Sequence, residues 1–341
     1  MVAVLLAISI ALDASGSFHA SGFDVTRISP PRASELFIIQ VDAADGPPLL
    51  GSYSIRGSEL IFTPRYALQP GLTYRATLKL PREEAISRRF TTPDADKTPT
   101  TFIEHVYPSA STLPENQLKF YIQFSAPMSR GDAYRCIHLL DDAGNPIPLA
   151  FLQLTEELWD REARRFTLFF DPGRIKTGVL PNVRLGLPIR EGGRYTLVID
   201  GEWHDSAGKP LKEAYRKVFN VGPAERSALD LSAWRIVSSR AGTQDPISVE
   251  FPKPLDRALL ENEVDVVDAS GNPVDGYVEI DKDETQWHFT PIVRWKPGTY
   301  SIAVSTILAD LAGNTLDRAF EVDVSEKPPA RQTRTLSFRI D

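Results

Sequence analysis

Two groups of residues in this 341-residue sequence carry side chains that a binding site would use. The first is a set of oxygen-bearing Gly turns, Asp142-Ala143-Gly144-Asn145 and Asp310-Leu311-Ala312-Gly313-Asn314. Ca²⁺ takes about six to eight oxygens from carboxylates, amides and carbonyls, so Asp142, Asn145, Asp310 and Asn314 are candidate calcium ligands. The competing reading is a tight hairpin turn in which Gly takes positive φ and Asp or Asn bonds its own backbone. The second group is basic. From Arg161 to Arg194 eight Lys or Arg stand against three acids, a local +5 inside a chain of net charge −7. Arg174, Lys176, Arg184 and Arg190 would offer that charge to an anionic polymer or to carboxylates of a protein partner, with Trp159 at the edge of the same segment. The competing reading is a solvated excursion that also forms part of the domain wall.

Trp203 and Trp295 also fall near loops or strand ends, where an aromatic face would stack on a sugar; in the other reading they fill the edge of a core. Glu156, Glu157 and Asp160 supply the carboxylates that glycoside hydrolysis needs, although sequence gives no separation between them. His204 and Asp205 are adjacent, so on an extended chain they point to opposite faces and form no relay. Cys136 alternates with Arg135 and Ile137 and reads as a small buried thiol rather than a nucleophile. The sequence has no nucleophile elbow, no His-Glu-x-x-His, no phosphate loop and no dinucleotide fingerprint. It is therefore expected to be non-catalytic, with a polysaccharide-acting enzyme or enzyme accessory as the alternative and a purely structural protein as a second one.

The elements that would hold these residues follow from an internal repeat. Leu60-Ile61-Phe62-Thr63-Pro64, Leu168-Phe169-Phe170-Asp171-Pro172 and Trp287-His288-Phe289-Thr290-Pro291 each place two large apolar residues two apart before a Pro. That spacing puts both on one face of a strand, which assigns Trp287 to a core. Each copy continues with a Gly turn and a Tyr (Tyr74, Tyr195, Tyr300) that opens a new strand, then closes on Phe90, Phe219 or Phe320 in an extended segment. Copies two and three also match at a constant offset of 127 residues, Phe124 with Phe251 and Gly144-Asn145-Pro146 with Gly271-Asn272-Pro273. Copy two is longer, mainly through Thr155–Arg165 and Gly173–Glu191. The first copy is shorter and is read as lacking both the Phe-x-x-Pro-Met element and the Asp-x-Ala-Gly turn.

Short alternating strands between Pro, Gly, Asn and Asp turns, in units of about 100 residues, predict an all-β chain of tandem immunoglobulin-like antiparallel β-sandwiches. The expected organisation is a reduced Ig-like domain over 17–98, a second over 99–222 with the basic insertion at about 155–194, and a third over 223–341. Polar, Pro-bearing stretches at 93–99 and 222–226 mark the linkers, and the alternation of Thr335–Ile340 marks a last strand. Leu154–Arg164 is the best helical candidate, with too few apolar positions for more than one or two turns.

Phe124-Ser125-Ala126-Pro127-Met128, the Asp-x-Ala-Gly-Asn turns and Gly-x-x-Tyr resemble the bacterial Ig-like domains named after the S-layer protein SbsA. The resemblance covers 101–322 well and 23–93 in part; the third copy departs from it with Phe251-Pro252-Lys253-Pro254-Leu255, and the copy-two insertion is not part of the module. It implies a surface-associated spacer, an adhesive unit or an appendage of a larger exported protein, and adds no chemistry.

Compartment rests on the start of the chain. Val2–Leu12 is an apolar run of eleven residues followed by Ala14-Ser15-Gly16-Ser17, which fits an export signal over 1–16 and is short of the about 20 residues of a spanning helix. The other reading is a buried first strand, since no Lys or Arg precedes the run. Secretion or the cell envelope is thus the expected location, with no transmembrane anchor. An acidic balance with pI ≈ 5.4 argues against nucleic acid. A cell-envelope polysaccharide or protein is the expected partner, and the oligomeric state is left open.

Overall fold

The computed structural model describes residues 7–26, 28–43, 46–94, 97–176, 180–320 and 331–341. The chain divides into two compact units, Met1–Lys97 and Thr98–Asp341. In the first, the elements are β1 (Ser9–Leu12), β2 (Phe18–Ser21), α1 (Pro30–Leu36), β3 (Phe37–Val41), β4 (Gly51–Arg56), β5 (Glu59–Pro64), β6 (Thr73–Leu78) and β7 (Ile86–Thr91). They form a four-stranded sheet, β1-β2-β5-β4, and a three-stranded sheet, β3-β6-β7, all antiparallel. This is the four-plus-three arrangement of an Ig-like sandwich. Leu60 and Phe62 of β5 face the core between the sheets, as their spacing requires.

β1 takes up the second half of the apolar run, as the buried-strand reading expects. Within Ile8-Ser9-Ile10-Ala11-Leu12, Ile10 is fully buried and Ile8 and Leu12 pack against the same core, while Ser9 and Ala11 face out. The run therefore alternates with the period of a strand, and of the predicted leader only residues 1–6 lie outside the described residues. The turn between β1 and β2, Asp13-Ala14-Ser15-Gly16-Ser17, has the local form of the Asp turns: Asp13 Oδ1 accepts from the N–H of Ser15 and of Ser17, both at 2.9 Å, and Gly16 takes φ of 84°. At the place that the Asp205 and Asp310 turns occupy in the later copies, between the last two strands of the second sheet, the first copy has residues 79–85, which hold no Asp and no Gly.

The second unit holds two sandwiches. The first of them contains β8 (Ile103–Tyr107), β9 (Thr112–Pro114), β10 (Lys119–Phe124), α2 (Ala133–Cys136), β11 (Ile137–Leu140), β12 (Arg165–Phe169), α3 (Pro172–Ile175), α4 (Leu180–Leu185), β13 (Arg194–Ile199) and β14 (Tyr215–Gly222). Its sheets are β12-β10-β8 and β11-β13-β14-β9. The other contains β15 (Arg235–Val237), β16 (Ile247–Glu250), α5 (Arg257–Asn262), β17 (Val264–Asp268), β18 (Gly276–Ile280), β19 (Gln286–Pro291), β20 (Gly298–Ser305) and β21 (Thr333–Ile340). Its sheets, β15-β16-β19-β18 and β17-β20-β21, repeat the order of the first unit. Leu168, Phe170, Trp287 and Phe289 are all buried between their sheets.

Three local features tie the copies together. Each has a helix of four to seven residues immediately before the strand that opens its second sheet: α1, α2 and α5. Each has a Tyr at the start of the central strand of that sheet whose hydroxyl bonds the backbone just upstream, accepting from Gln69 N–H at 2.7 Å and Arg190 N–H at 3.2 Å and donating to the Lys296 carbonyl at 3.2 Å. This is the corner tyrosine of Ig-like domains. Each Tyr pairs across the sheet with a Phe: Tyr74 with Phe90, Tyr195 with Phe219, and Tyr300 with Phe338. The closing strand of the last sandwich is therefore β21, and the expected one at Phe320 is corrected; Glu321 and Val322 of that segment lie outside the described residues. Leu154–Arg164 forms no helix but a loop in which Trp159 bridges to Phe166.

Candidate functional site

The basic insertion leaves β12 through α3 and α4. Arg174 sits at its centre and is buried, not presented to a ligand. Its guanidinium donates to the carbonyls of Gly186 (2.9 Å), Pro148 (2.8 Å), Leu149 (3.1 Å), Leu185 (3.3 Å) and Leu187 (3.3 Å). Burial lowers its pKa from the usual arginine value, although five carbonyls hold the charge in place. Arg174 thus shapes the loop, which corrects its expected role as a surface ligand. Lys176 lies 4.8 Å from the centre of the Phe320 ring, a cation–π contact within the unit. Arg184 and Arg190 are exposed, as a binding surface needs.

Trp159 is likewise turned inward. Its ring packs against Phe124, Phe166 and Trp203 at centroid distances of 5.0–5.8 Å, and its Nε1 donates to Glu157 Oε2 at 2.8 Å. Trp203 and Trp295 are buried in their cores. No flat aromatic platform remains at these positions. Glu157 also accepts from the Ala133 N–H at 2.9 Å, and Asp160 accepts from the N–H groups of Arg164 and Arg165, so both carboxylates brace loops. Cys136 is fully buried, and desolvation raises its thiol pKa.

The Asp turns form one loop repeated five times, headed by Asp13, Asp141, Asp205, Asp268 and Asp310. In each, the backbone of the first and fifth residues pairs and the fourth is a Gly with φ between 75° and 84°. The Asp carboxylate accepts from the N–H groups two and four residues on, at 2.9 Å for Ala207, Lys209, Ala312 and Asn314. The head of the second-copy turn is Asp141, one residue before the expected Asp142, which is exposed and 3.9 Å from Arg194. Asn145 donates to Asp141 through both its N–H and its side chain. Asp310 Oδ2 accepts from Asn314 Nδ2 at 2.9 Å and from Lys253 Nζ at 2.7 Å, while Asn314 Oδ1 accepts from the Phe320 N–H at 2.9 Å. The Asp141 and Asp310 carboxylates and the Asn145 and Asn314 side-chain amides thus bond within hairpin turns, as the competing reading has them, while Asp142 faces solvent; among the described residues no three His, Cys, Asp or Glu converge as metal ligands.

Sequence reasoning missed the most concentrated polar chemistry, the joint between the two sandwiches of the second unit. Asp256 caps α5, accepting from Leu259 N–H at 3.1 Å, and from the same buried position takes Lys119 Nζ at 2.7 Å and the Tyr121 hydroxyl at 2.9 Å. Glu284, wholly buried, accepts from the Ser109 N–H at 2.9 and 3.1 Å, and the Ser109 hydroxyl accepts from Asp283 N–H at 2.7 Å. Burial raises the Glu284 pKa, and the Ser109 bonds, Arg257 and Lys217 pull it back. Lys217 Nζ donates to the Ser109 carbonyl at 3.1 Å, and Asn116 exchanges two hydrogen bonds with the Glu225 backbone at 2.6 and 2.9 Å. Leu311, from the Asp310 turn of the last sandwich, belongs to the core of its neighbour.

Beside the joint, a cleft brings Glu104 and Glu261 together with Tyr107, Tyr121, Arg165 and Arg257. Its carboxylates are engaged: Glu261 with Arg257 at 2.9 Å and Arg165 at 3.1 Å, Glu104 with Arg164 at 3.6 Å. The arrangement is an ion-paired brace rather than an acid and base facing a substrate. Among the described residues, no helix is long and apolar enough to cross a membrane.

No protein-family model matches the chain and no curated protein matches it. Among solved structures it is similar to the FN1–FN3 domains of chicken CNTN1, at 13% identity over 98% of this chain and 97% of that one, with a TM-score of 0.21. It is also similar to the N-terminal part of the bacterial S-layer protein SbsC, at 10% identity over 71% of this chain and 44% of that one, TM-score 0.26. Domains 4–9 of SbsC match at 10% identity over 99% and 46%, TM-score 0.22. The assignment as an Ig-like repeat protein rests on the sheet orders and corner tyrosines of the chain itself.

Proposed function

We propose that this chain is a non-catalytic extracellular or cell-envelope protein in which Ig-like modules of the SbsA type space and present a binding surface, the last two acting as one stiff arm. The observation that carries the reading is the joint at Ser109, Asp256 and Glu284. Tandem modules linked only by chain keep independent motion, because a polar interface of ordinary size allows it. Here buried carboxylates cross from one sandwich to the other, and a buried charge tolerates little displacement from its partners. A spacer needs that stiffness; the exposed Arg184 and Arg190 lie on the same arm, where a polysaccharide or protein of the envelope would meet them.

Paired spin labels at Arg216→Cys and Asp265→Cys, both exposed, test the arm in the full chain. The buried Cys136 stays unlabelled. A single narrow distance distribution is expected, unchanged between low and high salt. A broad distribution spanning many orientations would remove the arm and with it the spacer reading.

A further inference from the structure

The charge of this chain is not spread over its modules. Residues 1–97 carry ten Lys or Arg and ten Asp or Glu, and residues 98–222 carry fifteen of each. Residues 223–341 carry thirteen basic against twenty acidic side chains and so hold the whole −7. Two exposed surfaces of opposite sign stand out on the second unit. At the basic insertion, Leu180, Val183 and Leu185 of α4 and the neighbouring Leu149 are each 49–71% exposed, and Arg174 bonds the Leu149 and Leu185 carbonyls, tying the two segments together. Arg184 of α4 and Arg190 just after it are exposed in the same segment, and among the described residues neither has a carboxylate partner. On the last sandwich, β18 is an edge strand, paired among the described residues with β19 alone. Tyr277, Ile292 and Val293 at its open end are 50–68% exposed, and the Ile292 N–H bonds the Asp275 carbonyl at 2.9 Å, which places Ile292 beside β18. Asp275 and Glu279 are exposed on this strand and its approach, again without an ion-pair partner among the described residues; Arg257 reaches the end of β18, donating to the Ile280 carbonyl at 3.0 Å, but is engaged with Glu261 at 2.9 Å.

We propose that these two surfaces are the halves of one interface between copies of this chain, the basic aliphatic platform of one copy seating on the acidic β18 edge of the next. Clustered apolar side chains left in water mark an interaction surface, and opposite rims fix which surface meets which. An edge strand presents unpaired backbone groups that a second chain can cover. Both surfaces are exposed in one chain, so they do not satisfy each other intramolecularly. Because they are different patches, the contact is heterologous: it leaves a free platform at one end and a free edge at the other, and repeats into an open assembly or a ring. The inference is independent of the stiff-arm reading. A strictly monomeric chain with a narrow inter-sandwich distance would refute the interface and leave the arm intact.

Sedimentation velocity of the full chain over a wide concentration range, at about 50 mM and about 500 mM salt, tests it. Concentration-dependent growth of the sedimentation coefficient at low salt, weakened at least about tenfold in affinity at high salt, is expected. Val183→Glu disables the platform and Asp275→Lys with Glu279→Lys disables the edge, and each variant alone should stay monomeric. All three positions are on the surface, and unchanged circular dichroism confirms that the variants fold. An equimolar mixture of the two variants retains one working platform and one working edge, so it should form a 1:1 dimer and nothing larger. Wild-type chain that remains monomeric at low salt, variants that associate as the wild type does, or a mixture that stays monomeric would each overturn the proposal.

Discussion

Replacing Asp256 by Ala removes one carboxylate on which three groups depend, and the structure sets the size of the effect. Lys119, only 17% exposed, loses its partner at 2.7 Å; the buried Tyr121 hydroxyl loses its acceptor; and α5 loses its N-cap bond to Leu259. Breaking a buried ion pair from one side costs about 3–5 kcal/mol. An orphaned buried hydroxyl costs about 1–3 kcal/mol and a lost cap about 1 kcal/mol. The three terms share one carboxylate and do not simply add, so a loss of about 4 kcal/mol is expected. Lys119→Met placed on top of Asp256→Ala removes the stranded ammonium and should restore about 2 kcal/mol; the coupling in a double-mutant cycle is that amount plus whatever Lys119→Met costs alone, and so should exceed about 2 kcal/mol. The assay is urea unfolding of the full chain, followed by tryptophan fluorescence and by far-ultraviolet circular dichroism. Asp256→Ala should also separate the two signals, because the last sandwich then unfolds without its neighbour. Asp230 makes a similar bond to Ser232 N–H at 2.9 Å but sits exposed, so Asp230→Ala serves as the control and should cost much less. A loss under about 1 kcal/mol for Asp256→Ala, or strict additivity with Lys119→Met, would show that this pair does not hold the joint.

Two further perturbations address the same joint. The Glu284 pKa is raised in the folded chain above its usual 4.5, so its contribution to stability is full below that value, falls as pH rises through the folded pKa, and is flat beyond it. Glu284→Gln should flatten this part of the profile, seen as a smaller decline of the urea midpoint above pH 4.5 than in the wild type, and identical slopes would contradict it. The Asp310 and Asp268 turns share one geometry, but Asp310 is buried and also holds Lys253 at 2.7 Å. Asp310→Ala should cost about 3 kcal/mol and Asp268→Ala distinctly less in thermal unfolding, whereas equal losses would mean that burial at the joint adds nothing.

The sandwich cores were legible because their determinants are local. Leu60 with Phe62, Leu168 with Phe170 and Trp287 with Phe289 announce a buried strand by spacing alone, and the Gly turn before each Tyr announces the corner. Where the reading stayed divided or failed, a local pattern imitated another. Ile8-Ser9-Ile10-Ala11-Leu12 alternates, but small residues on its outward face make it look like an unbroken apolar run. Phe320 stands where a closing Phe belongs by count, yet the strand that pairs with Tyr300 carries Phe338. The helices before β3, β11 and β17 are too short to show a helical period. Site residues fared worse for a different reason. Charge and exposure are set by tertiary placement, so a run rich in Arg does not reveal that Arg174 is the buried member and Arg184 the exposed one. The joint was invisible because Ser109, Asp256 and Glu284 are scattered over 175 residues, and no spacing rule reaches that far.

The repeated Asp turn explains how such a joint can be made from ordinary module parts. Its carboxylate satisfies the N–H groups of its own loop, so the turn folds the same way in water, as at Asp141 and Asp268, or inside protein, as at Asp205 and Asp310. A loop that needs no outside donor leaves few backbone groups orphaned when it is buried. The second carboxylate oxygen keeps room for a further donor and takes what the new surroundings offer: the Thr101 hydroxyl at 2.7 Å for Asp205, the Lys253 ammonium at 2.7 Å for Asp310. The Asp310 turn thereby carries Leu311 into the neighbouring core without strain in its own backbone. Rigid coupling of the last two sandwiches thus follows from a turn that was self-sufficient first and adhesive second, and the same logic accounts for Asp13, whose spare oxygen binds His19 at 3.0 Å in the first unit.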